Sequence, residues 1–593
     1  MNRYQVLLKV LDQLRAEAPP EFKTYHPAVN EVELVVAARS RAFIHLLLKV
    51  RFGLIDFGLR ENCVTEGSYD GGIDAYYVDS EHKTIYFIQS KFRQTEKNFE
   101  EKAIAPEELL MMDIDRVLKG DTASENGVQY NGKIQGMVKR ICAIEDIGRY
   151  QYRVIILANV KGVTRQKLNL LTGGFATEVI DYVKCYKELL FPLVSGTFFT
   201  ADSLNLSLTL SNKNAGAKIS YTVQTEHAKT EITVVFVPTL EIAKAMFKYR
   251  NAILKYNPRS FLEHEGQSVN LEIRKSIESR HTNEFALFNN GLTVLSDETY
   301  LNERIGQKDR AQLTLVNPQI INGGQTAYTL SQIYKENATG DIEAIFGQKE
   351  VLVKIITFDS ATRLNEAERL VLIEDISRAT NSQTTVTKAD RRSNEVDMQA
   401  LQAKAFERLG VFLERKRGEF GDGVREGYIE AEAIVDRNIF VRAAMVVAGK
   451  IHDAGKKRLV AQADFKAILD VSDAVFDEYK SALLILRKIH LGRGKNRVEL
   501  RHGNVSKAFV ALFVVRLRGT TGSTDVESIA DEVGTKWADF YKFCEGRYAA
   551  SRFMKTKKDK PYFDMHSYLT EGKIEKDVRD FFCSTSVAAP AIN

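Results

Sequence analysis

The sequence predicts a mixed α/β and α+β protein of several domains, and three observations support this. Helical and strand patterns alternate over the first 200 residues, strand patterns dominate from Leu204 to Val237, and helical patterns dominate beyond residue 400. We therefore divide the chain into a layered α/β domain (1–200), a central mixed α/β domain (201–400) and a mainly helical region (401–593). Domains of about 100–200 residues each are compatible with this division.

The first domain is predicted from a helix, two strands, a helix and a further strand. Apolar residues recur at helical spacing over Ala28–Val50. The segments Ile73–Val78 and Thr84–Lys91 are short, β-branched and aromatic, and a turn-like stretch separates them, which predicts two strands. A second helix is predicted over Glu96–Leu118 and a buried strand over Tyr152–Val160. This order of elements is typical of a sheet covered by helices.

The remaining elements are predicted from a change of pattern. The segments LNLSLTL, KISYTV and EITVVFV lie between Leu204 and Val237 and predict three strands, after which the pattern turns helical at Glu241. The helical patterns of the last region cover Ala389–Leu409, Ile439–Lys450 and Asp464–Ile489.

Composition excludes several classes of protein. The apolar content of 44% and charged content of 27% are those of globular proteins, which excludes a mainly disordered or collagen-like chain. A net charge of +5 neither requires nor excludes nucleic acid. The apolar runs Ile44–Val50 and Phe509–Val515 are far shorter than the roughly 20 residues of a membrane span, so we expect no membrane contact and a cytoplasmic location. Five cysteines without a CxxC pair argue against a disulfide framework and a thiolate zinc site.

A carboxylate, an amide and a lysine are predicted to meet at one end of the first sheet. Gln89 and Lys91 project from the same face of their strand because side chains alternate, and Asp74 opens the preceding strand after a glycine pair. If the two strands pair antiparallel, these three side chains converge. The Asp74 carboxylate, the Gln89 amide oxygen and the Ser90 carbonyl are hard oxygen ligands suited to Mg²⁺ or Mn²⁺. Lys91 can then lower the pKa of an attacking water or neutralise charge that develops on a phosphate.

This pattern resembles the PD-(D/E)XK nucleases, in the variant with Gln in place of the usual acid. The matching segments are Gly71-Gly-Ile-Asp74 and Ile88-Gln-Ser-Lys91, and the resemblance covers roughly the first 200 residues. It implies a restriction-endonuclease-like α/β/α fold and metal-dependent cleavage of phosphodiesters. The family often adds a glutamate from the first helix, for which Glu33 is the first candidate and Glu31 the second. Alternatively, a lysine at a strand end pairs with an acid for structural reasons alone.

Three polar islands interrupt the apolar segments of the central domain. They are Asn289-Asn290-Gly291, Asn322-Gly-Gly-Gln325-Thr326 and Arg378-Ala-Thr-Asn381. The Asn-Gly and Gly-Gly steps supply positive φ and predict tight turns. The second island precedes a helical pattern, and the amides at a helix N-terminus favour anions such as phosphate. Alternatively, the islands are capped turns of a packed core. The candidate ligand-binding residues are Asn290, Asn322, Gln325, Thr326, Arg378 and Asn381.

The islands resemble the abortive-infection phage-resistance (AIPR) family. Two further segments share the resemblance, Tyr256-Asn-Pro-Arg259 and Leu413-Glu-Arg-Lys-Arg417, and it extends from about Ile232 to at least Arg417. Some members of that family carry an N-terminal PD-(D/E)XK domain. The two resemblances therefore support each other and imply a role in bacterial defence against phage.

Three functional hypotheses follow. The first is a Mg²⁺-dependent DNA endonuclease in phage defence, in which Asp74 and Gln89 hold the metal and Lys91 activates or positions water. The second is a nucleic-acid or nucleotide-binding sensor with a degenerate nuclease fold, and the third is an RNase of the same fold. The basic segments Arg487–Arg501 and Arg552–Lys560 are candidate DNA contacts. Resemblance to restriction-type nucleases implies a homodimer, and a phage-derived or nucleotide trigger would act on the central and C-terminal regions.

Overall fold

The computed structural model describes residues 2–104, 109, 112–160, 163–210, 218–225, 229–257, 267–279, 282–338, 340–358, 366–380, 392–456, 458–491, 502–520, 522–557 and 560–583. The chain forms two compact units, Met1–Gln383 with Gly418–Ala431, and Thr384–Arg417 with Glu432–Asn593. Sheets and helices mix in the first unit and helices dominate the second, so the predicted mixed α/β and α+β fold class is confirmed. The division at residues 200 and 400 stays a prediction.

The N-terminal sheet has four strands in the order β1-β2-β3-β4. The strands are β1 (Ala75–Asp79), β2 (Thr84–Ser90), β3 (Gln151–Leu157) and β4 (Ala176–Ile180). Strands β1 and β2 pair antiparallel, which confirms the predicted hairpin, whereas β2, β3 and β4 run parallel. Helices cover both faces, so almost every residue of β2 is buried.

Two helices cover opposite faces of this sheet. The helices of the region are α1 (Arg3–Ala16), α2 (Val32–Phe52), α3 (Phe57–Glu61), α4 (Glu96–Glu100), α5 (Ile114–Leu118), α6 (Gly132–Cys142), α7 (Arg165–Leu171), α8 (Tyr182–Lys184) and α9 (Phe191–Ser195). Helix α6 packs Ile134 and Met137 into the cluster that contains Phe87. Helix α2 stacks Phe52 on Tyr77, with ring centroids 4.3 Å apart. The result is a helix–sheet–helix layering.

The prediction of a single helix over Glu96–Leu118 is wrong. Helix α4 ends at Glu100 and α5 begins at Ile114, and residues 102–104 and 112–113 between them are not helical. The apolar spacing of this stretch mimics a helix, but the sequence places Pro106 in its middle. Proline lacks the N–H that a helix interior requires, which explains the failure.

The central region holds two sheets, ordered β5-β10-β9 and β11-β8-β12-β7-β6. The strands are β5 (Ser203–Thr209), β6 (Ile219–Gln224), β7 (Lys229–Pro238), β8 (Leu292–Ser296), β9 (Thr299–Asn302), β10 (Arg310–Val316), β11 (Gln319–Asn322) and β12 (Glu350–Phe358). The three predicted strands correspond to β5, β6 and β7. The helices are α10 (Thr239–Tyr249), α11 (Gln267–Glu278), α12 (Phe285–Phe288), α13 (Gly324–Glu336), α14 (Ile342–Phe346) and α15 (Glu366–Thr380).

The five-stranded sheet is covered on both faces. Val294 belongs to the cluster that contains residues of α10 and α13, such as Met246 and Leu330. Its neighbour Leu295 belongs to a separate cluster with Ile373 of α15. Successive side chains of a strand point to opposite faces, so α15 and the α10–α13 pair lie on opposite sides of the sheet.

The second unit is mainly helical, as predicted. Its helices are α16 (Val396–Lys404), α18 (Arg437–Val447), α19 (Ile451–Ala454), α20 (Leu459–Gln462), α21 (Phe465–Leu469), α22 (Asp473–Leu491), α23 (His502–Arg518), α24 (Ser523–Thr535), α25 (Trp537–Arg547), α26 (Met565–Glu571) and α27 (Ile574–Val578), whereas α17 (Gly421–Arg425) belongs to the first unit. Two short sheets pair β13 (Phe412–Glu414) with β14 (Ile434–Asp436) and β15 (Met554–Lys557) with β16 (Lys560–Phe563).

The predicted helix Asp464–Ile489 is two helices, α21 and α22. The hydroxyl of Ser472 accepts a hydrogen bond from the backbone N–H of Val475 at 3.4 Å, which caps the start of the second helix. Across the described ranges, no helix combines the length and apolarity that crossing a bilayer requires.

Candidate active site

Asp74 lies directly before β1, and its carboxylate is bonded to the end of β2. Its Oδ2 accepts a hydrogen bond from the backbone N–H of Ser90 at 2.7 Å, and its own N–H donates to the carbonyl of Ile88 at 2.9 Å. Ala75 pairs with Ile88 in the strand register, so the preceding residue faces the last residues of β2. Asp74 is only 8% exposed. The hairpin thus places this carboxylate at the predicted end of the sheet.

Gln89, Ser90 and Lys91 lie at the same end of the sheet. The Gln89 side chain is buried, and its Nε2 donates to the carbonyl of Gly72 at 2.8 Å. The buried Oγ of Ser90 has no hydrogen-bond partner among the described residues. Lys91 is half-buried, and burial raises the pKa of Asp74 against the smaller opposing effect of the Lys91 charge. The structure therefore gathers the residues predicted from the D…QxK pattern.

Two further carboxylates, which we did not select from the sequence, lie in the loop before Asp74. Asp70 is buried, and its carboxylate accepts hydrogen bonds from the N–H groups of Gly67 at 3.2 Å and Gly72 at 3.0 Å. Glu66 forms an ion pair with Arg41 of α2 at 3.0 Å. The sequence did contain a signal for these two residues, because Glu66, Asp70 and Asp74 lie within one glycine-containing loop before β1.

Burial disfavours the ionised forms of these carboxyl groups, and like charge adds to this effect at Asp74 and Glu66. Burial is the main cause that raises the pKa of Asp74 to about 7, and the charges of Asp70 and Glu66 raise it further, against the opposing Ser90 N–H and Lys91 ammonium. Burial likewise raises the pKa of Asp70. Carboxylates that repel each other in a buried position are stabilised by a cation. Such perturbed groups are typical of functional sites.

Glu33, the predicted fourth ligand, lies in the first turn of α2 with an exposed side chain. The carboxylates whose charges act on Asp74 include those of Asp70 and Glu66. The role of Glu33 therefore stays a prediction, and Asp70 is the second carboxylate that the structure does place beside Asp74.

The donor atoms at this edge fit a hydrated magnesium ion. Among the described residues, no three Asp, Glu, His or Cys side chains converge as ligands of one ion, so a closed protein cage is not formed there. Mg²⁺ does not need one, because it usually keeps several waters and takes one or two carboxylates. Asp70 and Asp74 supply two buried carboxylates, and a bound cation would offset the burial that raises the pKa of Asp74.

The first two polar islands meet in the central sheet. Strands β8 and β11 pair antiparallel, so the turn before β8 lies beside the turn after β11. Nδ2 of Asn289 donates to Oγ1 of Thr326 at 3.1 Å, and Oδ1 of Asn289 accepts from the N–H of Gly291 at 2.9 Å. One asparagine therefore links both islands.

Close contact between backbones explains why two positions in the islands are occupied by glycine. Gly291 has φ +80°, and a Cβ added there would lie 2.5 Å from the carbonyl oxygen of Leu352. Gly323 has φ +81°, and a Cβ there would lie 2.8 Å from the carbonyl oxygen of Gly291. A side chain fits at neither position. These contacts favour the interpretation of the islands as packed turns.

The other island residues have different surroundings. Oδ1 of Asn322 accepts from the N–H of Gly323 at 2.7 Å, and Nε2 of Gln325 donates to Oδ1 of Asn270 at 2.9 Å. Asn290 is exposed. Arg378 belongs to α15 by its backbone, and Asn381 lies outside the described residues. Ligand binding by the islands stays a prediction.

Residues at the start of the first basic segment form contacts within the fold. Nη2 of Arg487 donates to the carbonyl of Ile434 at 2.6 Å, and Lys488 pairs with Asp531 at 3.0 Å. Residues 492–501 lie outside the described residues. In the second segment, Lys555 forms an ion pair with Asp564. A DNA contact by either segment stays a prediction.

Comparison with known proteins identifies one family. The family model described as AIPR protein matches residues 254–550, half of the chain. Comparison with curated proteins and with solved structures gave no match. The matched part contains the three polar islands, whereas the sheet that carries Asp74 precedes it.

Proposed function

Because the chain belongs to the AIPR (abortive-infection phage-resistance) family, we propose that it is a Mg²⁺-dependent nuclease that cleaves DNA in bacterial defence against phage. The observation that carries the proposal is the buried Asp74 carboxylate, held beside Asp70 and Lys91 at the end of the N-terminal sheet. Two carboxylates that can hold a divalent ion and a lysine that can stabilise charge on a phosphate are groups suited to metal-dependent phosphodiester cleavage.

Asp70 and Asp74 would hold the ion, together with the Ser90 carbonyl. When bound, Mg²⁺ supplies a Lewis acid for the phosphate oxygen and lowers the pKa of a coordinated water. The Lys91 ammonium stabilises negative charge on the phosphate as cleavage proceeds. The bond from Gln89 to Gly72 ties the loop to β2, and the Gly72 N–H in turn orients the Asp70 carboxylate.

The layering of the N-terminal region supports the same proposal. Two antiparallel strands followed by two parallel strands, covered by helices on both faces, place Asp74 and Lys91 on adjoining strand ends. This arrangement supports the proposal that both groups act on one phosphate.

Cleavage by the purified full chain tests the proposal. We expect conversion of plasmid and linear DNA in Mg²⁺ and none in EDTA. Asp74→Ala and Lys91→Ala should each lower the rate by at least about 100-fold, as expected when a group that stabilises the transition state is removed. Lys139→Ala, which removes an exposed lysine of α6, is the matched control and should cleave normally.

Each alternative outcome points to a different conclusion. Cleavage at the wild-type rate by Asp74→Ala or Lys91→Ala contradicts the site assignment. Cleavage of RNA in place of DNA supports an RNase of the same fold. Binding of nucleic acid without turnover, in Mg²⁺ or Mn²⁺, supports a sensor with a degenerate site.

A further inference from the structure

Tyr69 is an exposed aromatic residue in the loop that carries Asp70. Its side chain and backbone together are 67% exposed, and its φ is +61°. This left-handed conformation is rare for a bulky residue, and glycine would adopt it without strain. A large apolar ring has thus been placed in solvent at a position where a smaller residue fits the backbone better. Such outliers are concentrated at functional sites.

Hydrogen bonds on both sides of Tyr69 hold this loop. The N–H of Asn131 donates to the carbonyl of Tyr69 at 3.1 Å. Nδ2 of the same asparagine donates to the carbonyls of Thr65 at 3.2 Å and Ser68 at 3.3 Å. On the other side, the Asp70 carboxylate accepts from two backbone N–H groups of the loop. The backbone that bears the ring is therefore fixed, although the ring is exposed.

The ring lies next to the candidate active site. Tyr69 directly precedes Asp70, and consecutive Cα atoms are about 3.8 Å apart. The Asp70 carboxylate accepts a hydrogen bond from the N–H of Gly72, and the carbonyl of Gly72 accepts one from Nε2 of Gln89, two residues before Lys91. A nucleic-acid strand whose phosphate contacts Lys91 would therefore pass beside the loop that bears this ring.

We propose that Tyr69 stacks on an unpaired nucleobase of the strand bound at the N-terminal site. The inference rests on the proposed function and gives its site a preference for single-stranded or locally unpaired nucleic acid. Every base offers an aromatic face, so the contact tolerates any sequence. A tyrosine loses little conformational freedom when it stacks, and the fixed backbone reduces the cost further.

Binding in EDTA tests the stacking without any need for cleavage. The full chain is titrated into fluorescein-labelled oligo(dT), and into a duplex of mixed sequence, with fluorescence anisotropy as the readout. Tyr69→Gly removes the ring and suits the left-handed backbone, so its Tm should equal or exceed that of the wild type. We expect this variant to bind oligo(dT) roughly 5-fold or more weakly, with little change for the duplex. Tyr69→Phe keeps the ring and should bind normally.

Tyr221 offers a matched control, since it is 69% exposed on β6. Tyr69→Leu should weaken binding of oligo(dT), and Tyr221→Leu should not. In addition, wild-type protein should quench a 2-aminopurine base in the strand, and Tyr69→Leu should quench it less.

The outcomes separate this inference from the nuclease proposal. Wild-type affinity of Tyr69→Gly and Tyr69→Leu for oligo(dT) overturns the stacking, whether or not the protein cleaves DNA. An equal loss for the duplex, or a loss in Tyr69→Phe, also overturns it. Tyr69-dependent binding in a protein that cleaves nothing supports the stacking and contradicts the nuclease.

Discussion

The acidic site of the N-terminal sheet and the polar islands of the central sheet both have polar groups at strand ends. They differ in the surroundings of those groups. Asp70 and Asp74 are buried close together, and their pKa values are raised. Asn289 and Thr326, in contrast, bond to each other across the two islands. In the first region burial disfavours the ionised carboxyl groups, whereas in the second two side chains bond to each other. Buried carboxyl groups with raised pKa values are typical of functional sites, whereas polar side chains that bond to each other are typical of packing.

The largest effect is expected from Gly291→Ala, which would break the packed turn. Its Cβ would lie 2.5 Å from the Leu352 carbonyl oxygen, at a φ of +80° that alanine adopts poorly. We expect the free energy of unfolding to fall by about 3 kcal/mol or more. Urea unfolding provides the measurement. Gly136→Ala is the control, because its Cβ meets nothing within 4 Å in α6, and helix propensity predicts a gain of up to about 1 kcal/mol.

Asp74→Asn should have the next largest effect and should stabilise the metal-free protein. The folded protein holds the Asp74 proton up to about pH 7, whereas the unfolded chain releases it near the ordinary value of 3.8. Ionisation of this buried carboxyl group therefore lowers the free energy of unfolding as the pH rises from the unfolded pKa to the folded pKa. Above the folded pKa the loss is about 2–4 kcal/mol. Thermal unfolding in EDTA should show Asp74→Asn to be the more stable protein at about pH 8 and equal to wild type at about pH 4.

Addition of Mg²⁺ provides a second test of the acidic site. Binding to the folded state raises Tm, so Mg²⁺ should stabilise wild-type protein at alkaline pH and have less effect on Asp74→Asn. A wild-type Tm that is independent of both pH and Mg²⁺ would contradict both the raised pKa of Asp74 and the metal site.

Thr326→Val should have the smallest effect of the three variants, and it tests the hydrogen bond that links the first two polar islands. Valine keeps the shape of threonine but removes the hydroxyl that accepts from Asn289, so we expect a loss of about 1 kcal/mol in the free energy of unfolding. Thr222→Val, at an exposed position of β6, should change stability by less than about 0.5 kcal/mol. Equal effects in both variants would show that the link between the islands contributes nothing.

Local pattern was sufficient for much of the N-terminal site. Alternation along two short strands and the turn between them predicted the hairpin, and with it the meeting of Asp74, Gln89 and Lys91. The order of the islands likewise indicated the family that the chain matches over residues 254–550. These features depend on neighbouring residues, whose spacing is visible in the sequence.

Other features arise from contacts between distant segments. The burial of Asp70 depends on its surroundings in the folded chain, the Asn289–Thr326 bond joins two islands, and β12 lies between β7 and β8 of the sheet. Spacing along the chain records periodicity, but it does not record desolvation, charge proximity or the close approach of two backbones. Sequence patterns therefore established the hairpin and the family, whereas three-dimensional packing established which carboxyl groups are buried and which polar groups pair.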